Sequence, residues 1–206
     1  MKPIIDKDKS LMNAFALVRE THIELAELYK DFEAELNKFK FVSIHNGSDV
    51  GTERSTSLNN PAYWLFPYTS RTFVKNADNS DNQWYASASM IHYNRSKDEP
   101  IIPRLLIGFV KKEIAHSNLF EYWWLVSMYE SDYGRLIQNS KGKIVDDITD
   151  QEWFRVKPVK GDDKGSEKWY DEGYIYSKKL TSLSNKNDVR ELAETLNDKY
   201  NSVLGL

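Results

Sequence analysis

Residues 10–40 read SLMNAFALVRETHIELAELYKDFEAELNKFK, and this stretch decides the fold. Its large side chains are spaced alternately four and three residues apart, which is the a/d spacing of a heptad repeat. Neither proline nor glycine interrupts the stretch, and Ser10 is a suitable N-cap. The pattern predicts one helix over residues 10–40, about 43 Å long. The seam consists of Leu11, Phe15, Val18, His22, Leu25, Tyr29, Phe32, Leu36 and Phe39.

A helix of this length is longer than a compact domain of 206 residues needs. It either packs along its own domain or pairs with a second copy of the chain, and the spacing alone leaves both arrangements open. A polar residue at a seam position, here His22, sets register and oligomer state in some coiled coils and is a satisfied interior side chain in others. We therefore expect a homodimer through this helix as one of two outcomes.

The middle of the chain predicts an antiparallel sheet. Residues 62–182 alternate between apolar and polar side chains in short runs, joined by turns rich in Asn, Asp and Gly. We expect five to seven strands there, one of them over Tyr122–Tyr129, followed by a C-terminal helix over residues 185–204. The predicted class is α+β, with both helices packed on a mainly antiparallel sheet in a single domain spanning residues 1–206.

Small side chains mark the middle of the second predicted strand. Trp84, Ala86, Ala88, Met90 and His92 share one face of this strand, and the residues between them share the other. The alanines and serines of residues 86–89 leave room above the sheet. A packed helix fills such room, or a ligand does.

Composition narrows the classes of function. The net charge is −3, which argues against a protein dedicated to duplex DNA. The chain has no cysteine, which excludes disulfides and thiolate metal sites and agrees with a cytoplasmic protein. Its apolar runs are too short to span a membrane. No phosphate loop or nucleophile elbow occurs, so the sequence predicts neither a cofactor nor a catalytic set.

Four residues are the best candidates for ligand binding. Arg71 and Arg104 interrupt apolar strands, where an arginine needs an anionic partner such as Glu130 or a ligand phosphate. His92 lies at a strand end beside charged residues and titrates near neutrality when unperturbed. Tyr85 is one of several aromatic residues interleaved with these cations, a combination that binds nucleotides by stacking and charge. The leading hypothesis is a non-enzymatic binding or regulatory module for a nucleotide or another phosphate-bearing ligand.

Two other classes remain open. A metal-dependent phosphodiesterase would use His92 with an arginine, or the carboxylates of Asp146, Asp147 and Asp150 around a divalent cation. A protein that binds or neutralises another protein would present the long helix or the Trp123–Trp124 pair.

Overall fold

A computed structural model of the chain describes residues 7–44, 51–52, 68–75, 84–92, 102–111, 124–129, 135–159 and 171–205. Within these ranges the chain forms three α-helices, nine strands and a short 3-10 turn. In chain order they are α1 (Lys7–Lys38), β1 (Phe41–Ser43), β2 (Gly51–Thr52), β3 (Tyr68–Lys75), β4 (Trp84–Ile91), β5 (Arg104–Lys111), α2 (Trp124–Tyr129), β6 (Arg135–Gln138), β7 (Ile144–Val145), β8 (Trp153–Pro158), β9 (Glu172–Lys179), the 3-10 turn (Leu180–Ser182) and α3 (Lys186–Leu204).

The strands form one antiparallel sheet, so the predicted α+β class is confirmed. Eight strands follow the order β1-β3-β4-β5-β9-β8-β6-β7, and β2 also pairs with β3. The predicted number of five to seven strands was too low. The added strands β1, β2 and β7 have only two or three residues, which is too short for an alternating pattern to show in the sequence.

The long N-terminal helix is confirmed, and only its second half packs on the sheet. Tyr29, Phe32 and Leu36 are buried against β3, β4 and β5. The chain turns at Lys40, whose φ of 65° lies in the left-handed region and ends the helix. The second half of the seam predicted from the heptad spacing is therefore the surface through which α1 meets its own sheet.

The C-terminal helix packs beside α1 on the same face of the sheet. Its apolar stripe includes Val189, Leu192 and Leu196, which are buried in one core with the second half of α1. Lys75 of β3 donates hydrogen bonds of 2.7 Å to both Asn197 and Asn201 of α3. We call the face that carries α1 and α3 the helix face.

The opposite face carries α2, and here the prediction for Tyr122–Tyr129 was wrong. Residues 124–129 of this run form a short helix instead of a strand. The helix approaches the sheet at two glycines. A Cβ at Gly108 would lie 2.6 Å from Leu125 Cδ2, and one at Gly173 would lie 2.5 Å from Met128 Sδ. An apolar run of this length has no periodicity that separates a buried helix from a buried strand.

None of the helices in the described ranges combines the length and the apolar character that a membrane crossing requires.

Candidate functional site

The four residues predicted to bind a ligand lie on opposite faces of the sheet. Arg71 pairs in register with Ala88, and both belong to the helix face together with His92. Tyr85 packs in the core on the α2 face. Arg104 lies on this face too, because it directly precedes Leu105 in β5 and Leu105 points to the helix face. The structure therefore does not bring Arg71, His92 and Arg104 into one pocket.

Arg71 is held by a carboxylate of its own chain. Its Nη2 donates to Glu33 of α1, at 2.9 Å to Oε1 and 2.8 Å to Oε2. The arginine side chain is only 4% exposed. The anionic partner expected for a strand arginine is thus a residue of the same chain, and this ion pair connects α1 to β3. Glu130, which we considered as a partner, lies outside the described residues.

Arg104 also binds a carboxylate of its own chain. Its Nη1 donates to Asp150, and also to Ser177 Oγ at 3.2 Å. Ser177 Oγ in turn donates to Asp150 at 2.9 Å. The guanidinium lies 5.9 Å from the centre of the Tyr129 ring. These contacts connect β5, β9 and α2. They also neutralise the positive charge of Arg104, which we had considered as a partner for a ligand phosphate.

His92 lies under α1, where the helix leaves the sheet. Its Nε2 is 3.4 Å from Thr69 Oγ1, and its ring is 6.2 Å from that of His22. Burial and the neighbouring His22 lower the pKa of His92 to about 4. A general base is most effective when its pKa is near the working pH, so this environment does not favour His92 as a base at neutral pH.

Two of the acidic residues before β8 are engaged in structural contacts, while Asp146 and Asp147 are exposed. Asp150 binds Arg104, and Glu152 accepts hydrogen bonds from the N–H and Oγ of Ser140. Among the residues that the structure describes, no group of three or more His, Asp or Glu side chains is arranged to hold a metal ion.

The small-residue centre of β4 is filled on both faces. Ala86 and Ala88 are buried in the core beneath the helices. On the α2 face, Ser89 Oγ lies 2.6 Å from Ser70 Oγ, and Ser87 Oγ donates to the carbonyl of Arg71 at 3.0 Å. The room expected above residues 86–89 is thus occupied by packing.

The open surface lies on the helix face over β8 and β9. Strands β3 to β5 are buried on both faces over most of their length. In β8 and β9, buried residues of the α2 face alternate with half-buried residues of the helix face. The helices α1 and α3 therefore cover one part of the sheet and leave the neighbouring part accessible.

Aromatic rings line this open surface. We call Trp84, Trp153, Tyr174 and Tyr176 the aromatic strip. Each ring is half-buried, and the strip is built around the buried Phe109. The centroid of Phe109 lies 5.5 Å from Trp84, 5.1 Å from Tyr174 and 5.9 Å from Trp153. Tyr176 continues the strip, 5.5 Å from Trp153.

Three cations flank the strip. Lys199 of α3 lies 5.2 Å above the Tyr174 ring. Arg155 and Lys157 follow Trp153 at every second position of β8, so all three lie on the same face. Their side chains are 39% and 42% exposed. A ligand on the strip would therefore meet aromatic rings and positive charge together.

Glu172 holds the flanking charges in place. Its Oε1 accepts hydrogen bonds from Arg155 Nε at 2.6 Å and from the Tyr174 hydroxyl at 3.0 Å, and Lys157 Nζ lies 3.9 Å from Oε2. Burial alone would raise the pKa of Glu172, but the hydrogen bonds outweigh it and leave that pKa below its usual value. Burial and the bond to Glu172 raise the pKa of Tyr174 to about 12. Both groups keep their protonation states near neutral pH.

The sequence carried a signal for this surface that our list of four residues missed. Trp153, Arg155 and Lys157 are spaced two apart, as are Tyr174 and Tyr176. Such spacing places rings and cations on one face of each strand. No family model, no curated protein and no solved structure matches the chain.

Proposed function

We propose that this protein is a non-enzymatic binding module that recognises a nucleotide, free or within a single strand, on the aromatic strip. The observation that carries the proposal is the row of four half-buried rings on the open helix face, flanked by Lys199, Arg155 and Lys157. Base–aromatic stacking contributes about 1–3 kcal/mol per base, and cations beside the rings attract the phosphates.

The chemistry of the strip fits single strands better than duplexes. Ring faces stack on bases that are unpaired and accessible, which a duplex does not offer in its grooves. The net charge of −3 also argues against broad phosphate neutralisation. With Glu172 counted, the strip carries three positive charges and one negative charge, which suits a short ligand with one or two phosphates.

The proposal extends to the setting in which the module acts. We propose a cytoplasmic location, with which a cysteine-free composition agrees. We also propose that the module is a homodimer through α1, as the heptad spacing of residues 10–40 favours.

Fluorescence anisotropy of a labelled single-stranded oligonucleotide tests the proposal, with adenosine monophosphate as the competitor that reveals binding of free nucleotides. Replacing a ring while keeping an apolar side chain, in Tyr176→Leu, should weaken binding about 5- to 150-fold, since one stacked base is lost. Arg155→Gln should weaken binding several-fold and flatten its salt dependence.

The control is the exposed Arg–Glu pair of α3. On α3, Arg190 Nε lies 3.8 Å from Glu194 Oε1, and both side chains are about half exposed. Arg190→Gln should leave binding unchanged. Equal losses in Arg190→Gln and Arg155→Gln would show only general charge attraction, and absence of binding by the unaltered chain would refute the proposal.

Glu172 offers a test in the opposite direction. Because its carboxylate neutralises Arg155 and Lys157, Glu172→Gln should strengthen binding of the oligonucleotide a few-fold. Glu194→Gln removes the same charge from the Arg190–Glu194 pair and should have no such effect. Weaker binding by Glu172→Gln would mean that the ligand does not meet these cations.

A further inference from the structure

The first half of α1 exposes a large apolar surface. Four large apolar side chains on one side of the helix are between 49% and 71% exposed: Leu11, Met12, Phe15 and Ile23. The largest apolar patch on a typical monomer is about 300–600 Å², and patches of this kind commonly mark interaction sites. This surface therefore needs a partner more than any other exposed part of the helix.

Leu11 and Phe15 of this surface belong to the same seam that packs on the sheet farther along α1. The His22 ring lies 6.2 Å from that of His92, and Tyr29 donates a 2.6 Å hydrogen bond to the carbonyl of Thr69. The 15 residues from Lys7 to Thr21 precede these contacts, a length of about 22 Å. Leu11, Phe15 and Val18 thus hold the same heptad positions as the buried residues farther along the helix.

The charge of this segment favours another helix over a lipid surface. Residues 7–24 carry three basic and three acidic side chains, and residues 10–18 carry none. Helices that lie on anionic membranes are rich in Lys and Arg on their polar face, and this segment has no such excess. A seam with a spacing of 3.5 residues is complementary to a helix with the same spacing.

We propose that residues 7–24 of α1 pair with the same segment of a second copy, in antiparallel orientation. In the second half of α1 the stripe faces the sheet of its own chain. A parallel partner would bring its sheet against that sheet, whereas an antiparallel partner carries its sheet beyond the opposite end of the helix pair. The two-fold axis then passes near Phe15, in the middle of the segment. The inference rests on the homodimer proposed above and does not depend on the ligand of the aromatic strip.

Single cysteines distinguish the orientations, because the chain has none of its own. A disulfide needs Cα atoms within about 7 Å. With the axis at Phe15, the Phe15→Cys positions of two copies meet, while the Leu11→Cys positions are about 12 Å apart. Mild oxidation should cross-link Phe15→Cys and leave Leu11→Cys as single chains. Cross-linking of Leu11→Cys as readily as Phe15→Cys would overturn the antiparallel arrangement.

Sedimentation equilibrium of the full chain tests the association itself. The unaltered protein should be a dimer at tens of micromolar, and Phe15→Asp should be a monomer with an unchanged circular dichroism spectrum. Asn13→Asp adds the same charge on the far side of the same helix turn and should remain dimeric. A monomeric unaltered protein would overturn the proposal, and its co-sedimentation with phosphatidylcholine vesicles would assign the surface to lipid instead.

Discussion

Protonation of the half-buried His92 is linked to folding. Its pKa falls from 6.5 to about 4 because burial disfavours the charged ring and His22 lies beside it. The unfolded chain therefore takes up a proton at a pH where the folded chain does not. The contribution of His92 to the free energy of unfolding is complete above pH 6.5. It is lost as the pH falls toward 4, and the loss amounts to about 3 kcal/mol.

Urea unfolding at several pH values between 4 and 7.5 checks this prediction. Carboxylates also lose stabilising contacts in this range, so the informative quantity is the difference between the unaltered protein and His92→Gln. That difference should shrink as the pH is lowered, because the variant has no ring to protonate. Parallel curves for the two proteins would show that His92 contributes nothing to acid sensitivity.

The arginines show what a single residue reveals in sequence and what it does not. An arginine between apolar strand residues indicates that a nearby anion must neutralise it. In the structure, both Arg71 and Arg104 have such a partner. The partners, Glu33 and Asp150, are 38 and 46 positions away in the chain. Nothing local in the sequence selects them, because the pairing arises only when α1 and the loop before β8 pack on the sheet.

At the scale of elements, α3 begins with a complete N-terminal cap. Asn185 Oδ1 accepts hydrogen bonds from the N–H groups of Asn187 and Asp188, at 2.8 and 3.2 Å. The carboxylate of Asp188 accepts from the N–H of Asn185 at 3.1 Å, which completes a capping box. The helix ends at Gly205, whose φ of 68° suits the left-handed C-cap.

Loss of this cap should weaken the packing of α3 as a unit. Asn185→Ala should lower the free energy of unfolding by about 1 kcal/mol, since two N–H groups of the first turn lose their acceptor. Asn187→Ala, in the same turn and with a better helix former, should cost little or nothing. Urea unfolding at neutral pH measures both. An equal loss in the two variants would mean that the amide at 185 does not act as a cap.

Elements with a clear period are predictable from this sequence, and their surroundings are not. The heptads of α1 and the alternation in β8 identify these elements, and β4, β5 and β9 show as short runs rich in apolar and aromatic residues between polar turns. The run containing Trp124–Tyr129 has no such period, and its helix forms because Gly108 and Gly173 let it approach the sheet. The aromatic strip escaped prediction for a related reason. Alternation shows which residues share a face, but not whether a helix covers that face.

At the scale of the whole molecule, α1 and α3 pack on a sheet that is eight strands wide, and together they are too narrow to cover it. The sheet spans roughly 34 Å across its strands at about 4.8 Å each, whereas two packed helices cover about 20 Å. The uncovered part carries the aromatic strip, and the helix that is too long for its strands carries the unpaired seam. Both candidate surfaces thus arise from one mismatch between the dimensions of the helices and the sheet.

This mismatch predicts that association and folding are separable. The side chains of α1 that are buried in the core begin at Tyr29, so a chain that starts at residue 25 keeps the contacts of α1 with β3 and α3. It should unfold cooperatively, bind the oligonucleotide as the full chain does and remain monomeric. The thermal midpoint of the full chain should rise with protein concentration because dimerisation stabilises the folded state, while that of the shortened chain should not. A shortened chain that fails to fold would show that residues 7–24 support the sheet of their own chain.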